Sequence, residues 1–333
     1  MLFLFLPRTI SMLVAQQGES YAGVYIPMIM DQIDQKGGLP NFVGAAIGNG
    51  CWGSDCFYGV HEAQIDFHTF AGQDFVSPAL AEQITKTCGN EWLNFTGDEG
   101  TCGGTLKRSP CHTLLKQMCK QVGDGHFNVY NMYDTCFPNN DLTLAAIRKV
   151  LRQAKGVTLR GWQDAMRSHP SLHHHAPPAQ VGQLNDYTCG SETLLSKWLD
   201  EPTVQAALHV NKSGKMRYDS NIGDLRPLYR KLVAKYRVLI YSGNVDACVP
   251  TWGSEFWTRE LGEPHGVVTE WHPWMSDSAD PGSSRKVLAG YATTYGINNF
   301  TFATVKGAGH EVPRYKPAFA LSMIERFLSG KSF

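Results

Sequence analysis

The stretch LVAQQGESYAGVYIP, residues 13–27, limits what this chain can fold into more than any other. An apolar, strand-forming run leads into Gly18-Glu19-Ser20-Tyr21-Ala22-Gly23, and a segment of helical character follows. A serine with small residues two positions before and two after suits a sharp strand-to-helix turn, because larger side chains would collide there. Ala22 stands where Gly is usual, a departure the turn still admits. A turn of this kind presents a hydroxyl at the carboxyl end of a strand. The hydroxyl alone is a poor nucleophile, however: it needs a base to take its proton, and the base needs a third group to fix its tautomer.

Two later loops carry residues of the required types. Asp246 lies in VLIYSGNVDACVP and His310 in TFATVKGAGHEVP, each just after a short β-branched and aromatic run. The order Ser, Asp, His, each behind a predicted strand, is the order of an α/β-hydrolase, and open α/β sheets carry their sites at the carboxyl ends of strands. The predicted fold is therefore α/β, with a mostly parallel sheet. Ser20 is the candidate nucleophile, His310 the base and Asp246 its orienting acid. The geometry expected is Ser20 Oγ within about 2.6–3.2 Å of one His310 ring nitrogen, with Asp246 accepting from the other.

The rest of the chain fits such a core with an insert. PNFVGAAIGNG reads as a buried strand ending in a glycine-bounded turn. KPAFALSMIERFLSG reads as a helix started by Pro317 and stopped by Gly330, with Ala320, Met323, Ile324 and Phe327 as its apolar stripe. Between them, residues 85–184 are rich in Cys, Gly and Pro, although CHTLLKQMCKQVG within this zone is helical in pattern. The predicted organisation is residues 1–84 and 185–333 as two parts of one core, and residues 85–184 as an inserted cysteine-rich cap domain. RSHPSLHHHAPPAQ, residues 167–180, reads as a connector in which His173, His174 and His175 are solvated rather than metal-binding. The opening MLFLFLPRTIS reads as the tail of a helix and a Pro-Arg turn rather than a secretory leader. Pro7 interrupts its short apolar run, and no basic residue precedes it.

Charge excludes little but gives no support to a polyanionic partner: Lys+Arg and Asp+Glu both total 30. No basic patch suggests nucleic acid, and no apolar run is long enough to span a membrane. No cofactor is expected, and no metal, since the nine cysteines are irregularly spaced and include no C-x-x-C pair. Trp252, Trp257, Trp271 and Trp274 read as core or pocket wall. Seven of the cysteines fall between residues 51 and 136, and Asn94, Asn211 and Asn299 open glycosylation sequons. Together these features favour an oxidising, secretory route such as vacuole, lysosome or extracellular space.

GESYAGVYIP, AAIGNG, EPTVQAALHVN, VLIYSGNVDACVP and TFATVKGAGHEVP resemble the serine carboxypeptidase family, from about residue 9 to the end and most weakly in the insert. The resemblance implies hydrolysis of the last peptide bond of a substrate through an acyl-enzyme on Ser20, with peptide or protein C-termini as substrates. It leaves a homodimer open. By it, Glu19 binds the substrate's terminal carboxylate, and the backbone N–H of Tyr21 donates to the oxyanion hole. Two carboxyl groups can bind each other only through a shared proton, so such an enzyme should prefer acid. Cys248 is similar to a free thiol that some members carry near the cleft.

In that family a longer amino-terminal segment precedes the serine turn, bearing an Asn-Gly-Gly-Pro-Gly loop that completes the carboxylate clamp and the oxyanion hole. Nothing here matches it. The expectation is a sheet incomplete on its amino-terminal side, impaired activity and an unpaired Cys189, whose family counterpart is bridged to that segment. The rivals are an acyltransferase or esterase on the same triad, and a non-catalytic remnant.

Overall fold

The computed structural model describes residues 2–8, 11–53, 56, 62–89, 109–123, 127–134, 137–138, 188–189, 198–210, 222–277 and 285–333. They fall into two compact units, one of residues 1–124, 129–132 and 219–333, the other of residues 125–128 and 133–218.

The first unit begins with β1 (Leu2–Arg8), β2 (Ser11–Glu19), α1 (Ala22–Gln35), β3 (Phe42–Gly48), α2 (Glu62–Ala71), α3 (Pro78–Cys88) and α4 (Pro110–Val122). The second unit holds a short parallel pair, β4 (Phe137–Pro138) with β5 (Thr188–Cys189), and α5 (Pro202–Ala207). The first unit resumes with α6 (Arg226–Val233), β6 (Arg237–Gly243), α7 (Thr251–Gly262), β7 (Val267–Asp277), β8 (Lys286–Tyr295), β9 (Thr301–Val305), α8 (Val312–Tyr315) and α9 (Pro317–Ser329).

Seven strands form one sheet in the order β1-β2-β3-β6-β9-β8-β7. The four central strands β2, β3, β6 and β9 are mutually parallel; β1, β8 and β7 run antiparallel to their neighbours. Parallel strands with helices on both faces must bury both sets of alternating side chains. The sequence obliges. Ala45 and Ile47 of β3 join Val238 and Ile240 of β6 in a core with α1, α6 and α7, while Ala46, Leu239 and Tyr241 face α9. The stripe expected on α9, Ala320, Met323, Ile324 and Phe327, is buried, and Gly330 caps the helix with φ 69.

One expectation is corrected. Leu2–Arg8 is a strand, paired antiparallel with Ser11–Gln17, and not the tail of a helix. The ladder with β2 pairs one side of its backbone, and Pro7 is tolerated because β1 is the edge of the described sheet.

Two disulfides are described, Cys51–Cys56 and Cys88–Cys111, the second joining α3 to α4; Cys119 is also bridged. The side chain of Cys189 and the connector at residues 167–180 lie outside the described residues.

Gln16 breaks the pattern of β2. It is wholly buried, and among the described residues neither its Oε1 nor its Nε2 has a hydrogen-bond partner. An unmet buried amide costs about 1–3 kcal/mol. Gln16→Leu is therefore expected to raise stability by about that much, read as a higher denaturant midpoint at unchanged m-value. A lower midpoint would show that the amide is satisfied in solution.

Candidate active site

β2 ends at Glu19 and α1 begins at Ala22, so Ser20 sits on the turn between them with φ 60. This left-handed conformation is rare for a residue with a Cβ. It is held from both sides: Ser20 N–H donates to Gly48 O at 2.9 Å, and Ser20 O accepts from Cys51 N–H at 3.0 Å. The small residues around it have visible reasons. A Cβ on Gly18 would lie 2.5 Å from the Cβ of Ala22, and one on Gly23 would lie 2.1 Å from Cys51 O. Ala22 is thus admitted because residue 18 is Gly. The Tyr229 hydroxyl donates to Gly23 O at 2.6 Å and fastens α6 to the start of α1.

Asp246 follows β6 and His310 follows β9, so both reach the edge of the sheet where β2 delivers Ser20. His310 Nδ1 lies 2.7 Å from Asp246 Oδ2, and both residues are buried. Asp246 also accepts from three other donors: Cys248 N–H at 2.8 Å on Oδ1, and Val249 N–H at 3.1 Å and Asn49 Nδ2 at 2.9 Å on Oδ2. Four donors converge on this one carboxylate, and as an acceptor it orients His310 with its proton on Nδ1 and leaves Nε2 as the basic nitrogen. The loop of His310 is placed by its own N–H, which donates to Tyr130 O at 2.8 Å, and by the Tyr130 ring, 5.3 Å from the imidazole.

The structure brings His310 and Asp246 into contact, but no hydrogen bond joins Ser20 Oγ to His310. Catalytic hydroxyl–imidazole bonds often close only when substrate occupies the site. Among the described residues no acceptor takes the N–H of Tyr21, which leaves it free to donate beside Ser20.

Glu19 and Ser20 border a cavity of about 790 Å³ whose other walls include Tyr21, Tyr25, Pro313 and Leu321. Burial chiefly, then the charges of Glu311 and Asp246, push the Glu19 carboxyl above its usual range, against the opposing pull of His310 and Arg314. Burial pulls His310 down, but the hydrogen bond and charge of Asp246, with Glu19 and Glu311 behind them, outweigh it and leave the imidazole more basic than usual. Glu311 is a charge that sequence reading passed over, although its place beside His310 was the available signal.

Trp257 and Trp274 are buried core residues, whereas Trp252 and Trp271 line a second cavity of about 630 Å³. Cys248 is a free thiol, pushed up to about 12 by burial and by Asp246, and is a poor nucleophile. Asn299 is exposed, at the turn before β9; Asn94 and Asn211 lie outside the described residues. Among the described residues no cluster of three His, Cys, Asp or Glu side chains is placed to hold a metal, and no helix is long and apolar enough to cross a membrane.

A sequence profile described as serine carboxypeptidase matches residues 7–330. A protein named serine carboxypeptidase-like 20 from Arabidopsis thaliana is 32% identical over 94% of the chain, and serine carboxypeptidase 1 of Hordeum vulgare is 28% identical over 94%. The lysosomal protective protein of Mus musculus is 26% identical over 95%. The chain spans 63%, 62% and 64% of the lengths of these three relatives. In fold it is similar to a prohormone-processing carboxypeptidase from Saccharomyces cerevisiae, with a TM-score of 0.53 at 16% identity over 96% of this chain and 62% of the other.

Proposed function

This chain belongs to the serine carboxypeptidase family, and we propose that its site is built to release single amino acids from the C-termini of peptides. The observation that carries the reading is the His310–Asp246 pair, at 2.7 Å, on the same sheet edge as a serine held at φ 60. Ser20 Oγ attacks the last peptide carbonyl while His310 Nε2 takes its proton. The Tyr21 N–H meets the developing oxyanion. His310 then returns the proton to the leaving amino acid's nitrogen, and water, activated by the same imidazole, hydrolyses the ester on Ser20.

Glu19 confines the reaction to C-termini. Its raised carboxyl stays protonated to higher pH than an ordinary glutamate, and in that form it donates to a terminal carboxylate instead of repelling it. The bridged cysteines support a secretory route.

The test is release of free amino acid from N-blocked dipeptides, followed beside labelling of Ser20 by a fluorophosphonate. Labelling without release from any dipeptide, but with acyl transfer to an alcohol, would move the chain to the acyltransferases. No labelling would remove the enzyme reading.

The two carboxyl-linked titrations set the pH dependence. Peptide cleavage requires Glu19 protonated, so it falls as pH rises through that raised value; it also requires His310 neutral, so it falls as pH drops through the imidazole's. Neutral ester substrates need only the second condition and should keep their rate on the alkaline side. Glu19→Gln removes a negative charge that holds His310 up, so the acid limb for esters should move to lower pH, while peptide cleavage loses its alkaline fall. Unmoved limbs in that variant would take Glu19 out of the site.

A further inference from the structure

Asn49 directly follows β3, with φ 37, and is wholly buried. Asn is among the few residues with a Cβ that accept this region readily. Its backbone N–H donates to Tyr241 O at 2.8 Å. Its side chain reaches across to the loop after β6 and is fully used there. Oδ1 accepts from Gly243 N–H at 2.8 Å; Nδ2 donates to Val249 O at 3.1 Å, to Asp246 Oδ2 at 2.9 Å and, more weakly, to Gly243 O at 3.4 Å. The oxygen of Asp246 that Asn49 touches is the one that faces His310 Nδ1.

Only an amide satisfies this set. A carboxylate at residue 49 would still accept from Gly243 N–H but would set a second negative oxygen against Asp246. An aliphatic of the same shape would leave Gly243 N–H without an acceptor and Asp246 without one of its donors. Cys248 N–H and Val249 N–H belong to Asp246's own loop and move with it. Apart from His310 itself, Asn49 is the donor that ties the carboxylate to a different strand.

We propose that Asn49 is the positioning residue of this site: through Asp246 Oδ2 it fixes the orientation of the His310 imidazole and opposes that ring's protonated form. The proposal rests on the serine hydrolase reading above and deepens it. Its electrostatic part has a definite sign. The Nδ2–H dipole turns its positive end toward the Asp246–His310 pair, which disfavours imidazolium. The other groups around the imidazole are Asp246 from the β6 loop, Glu19 from the end of β2 and Glu311 from its own loop, all acids that favour it, with the uncharged Tyr130 ring beside them. Removing the amide therefore makes His310 more basic.

The experiment follows the His310 ring protons by NMR across pH in the full chain and in Asn49→Ala, and measures ester hydrolysis in parallel. The titration midpoint should rise by about half a unit to one unit in Asn49→Ala, and kcat should fall by about 10- to 100-fold with KM little changed. Asn49→Asp keeps the shape, serves if the alanine variant does not fold, and should raise the midpoint further. Thr251→Ala is the control. Thr251 Oγ1 donates to Gly243 O at 3.2 Å and makes no hydrogen bond to Asp246, so its loss should leave the midpoint in place. A folded Asn49 variant with an unmoved midpoint, or a Thr251 variant that moves it equally, would reduce Asn49 to a structural residue. The NMR titration needs no turnover. Absence of Ser20 labelling by fluorophosphonate in the unaltered chain would instead sink the hydrolase reading itself, so the two failures are told apart.

Discussion

Ser20→Gly is expected to give a more stable protein that has lost hydrolysis by about 10⁴-fold or more. The two effects share one cause. Ser20 is held at φ 60, where a residue with a Cβ is strained by about 1–3 kcal/mol and Gly is not. Its hydroxyl has no hydrogen-bond partner among the described residues, so deleting it costs the fold little. The greater freedom of Gly in the unfolded chain offsets part of the gain, and a net rise of about 1 kcal/mol should remain. Ser20→Ala keeps the strain and removes the same oxygen, so it should be equally inactive with stability unchanged. Thermal or denaturant melts of the two variants beside the unaltered chain, with ester turnover, make the comparison. Should Ser20→Gly be the less stable of the two, the turn is not strained as described. Should either variant keep its rate, Ser20 is not the nucleophile.

That strain also explains why the turn could be read from sequence. A strand, a sharp turn and a helix demand small residues at fixed offsets, and Gly18, Ala22 and Gly23 are local facts that need no knowledge of the rest of the fold. The central strands were legible for a similar reason: Val238 to Tyr241 and Thr301 to Val305 are apolar or β-branched throughout because both faces are buried. Leu2–Arg8 was not legible. A short apolar run suits a helix end and an edge strand equally, and the partner that decides between them lies across the hairpin. The site divides in the same way. Asp246 and His310 follow recognisable strands, but the four donors that converge on Asp246 come from residues 49, 248, 249 and 310. Only the sheet order β3-β6-β9 brings them together. Asn49 had a signal, the glycine-bounded turn of AAIGNG, but nothing in one strand's sequence tells what its side chain faces. The charge of Glu311 on His310 and Glu19 is of the same kind.

Gly243→Ala should damage both fold and activity. Gly243 ends β6, one turn before Asp246, and its added Cβ would lie 2.1 Å from Gly309 O and 2.5 Å from Ala308 O. Both obstacles are backbone atoms of the loop that carries His310, so no side chain can swing aside. That loop is itself fixed: Val245 N–H donates to Ala308 O at 3.0 Å, and His310 N–H to Tyr130 O at 2.8 Å. Gly243 cannot retreat either, because its N–H is held by Asn49 Oδ1 at 2.8 Å. Relief must come by moving the Asp246 loop and the His310 loop apart. Overpacking of this kind costs about 1–3 kcal/mol in general, and two backbone obstacles place this case at the upper end. A displacement near 1 Å at the pair proposed to activate Ser20 should lower the rate by about 10²-fold. The measurement is a paired one: the denaturant midpoint of Gly243→Ala, and its ester turnover under conditions where it is fully folded. Loss of stability with full turnover would mean that the two loops yield without separating His310 from Asp246. No loss of either would mean that the close approach of β6 to the His310 loop is absent in solution.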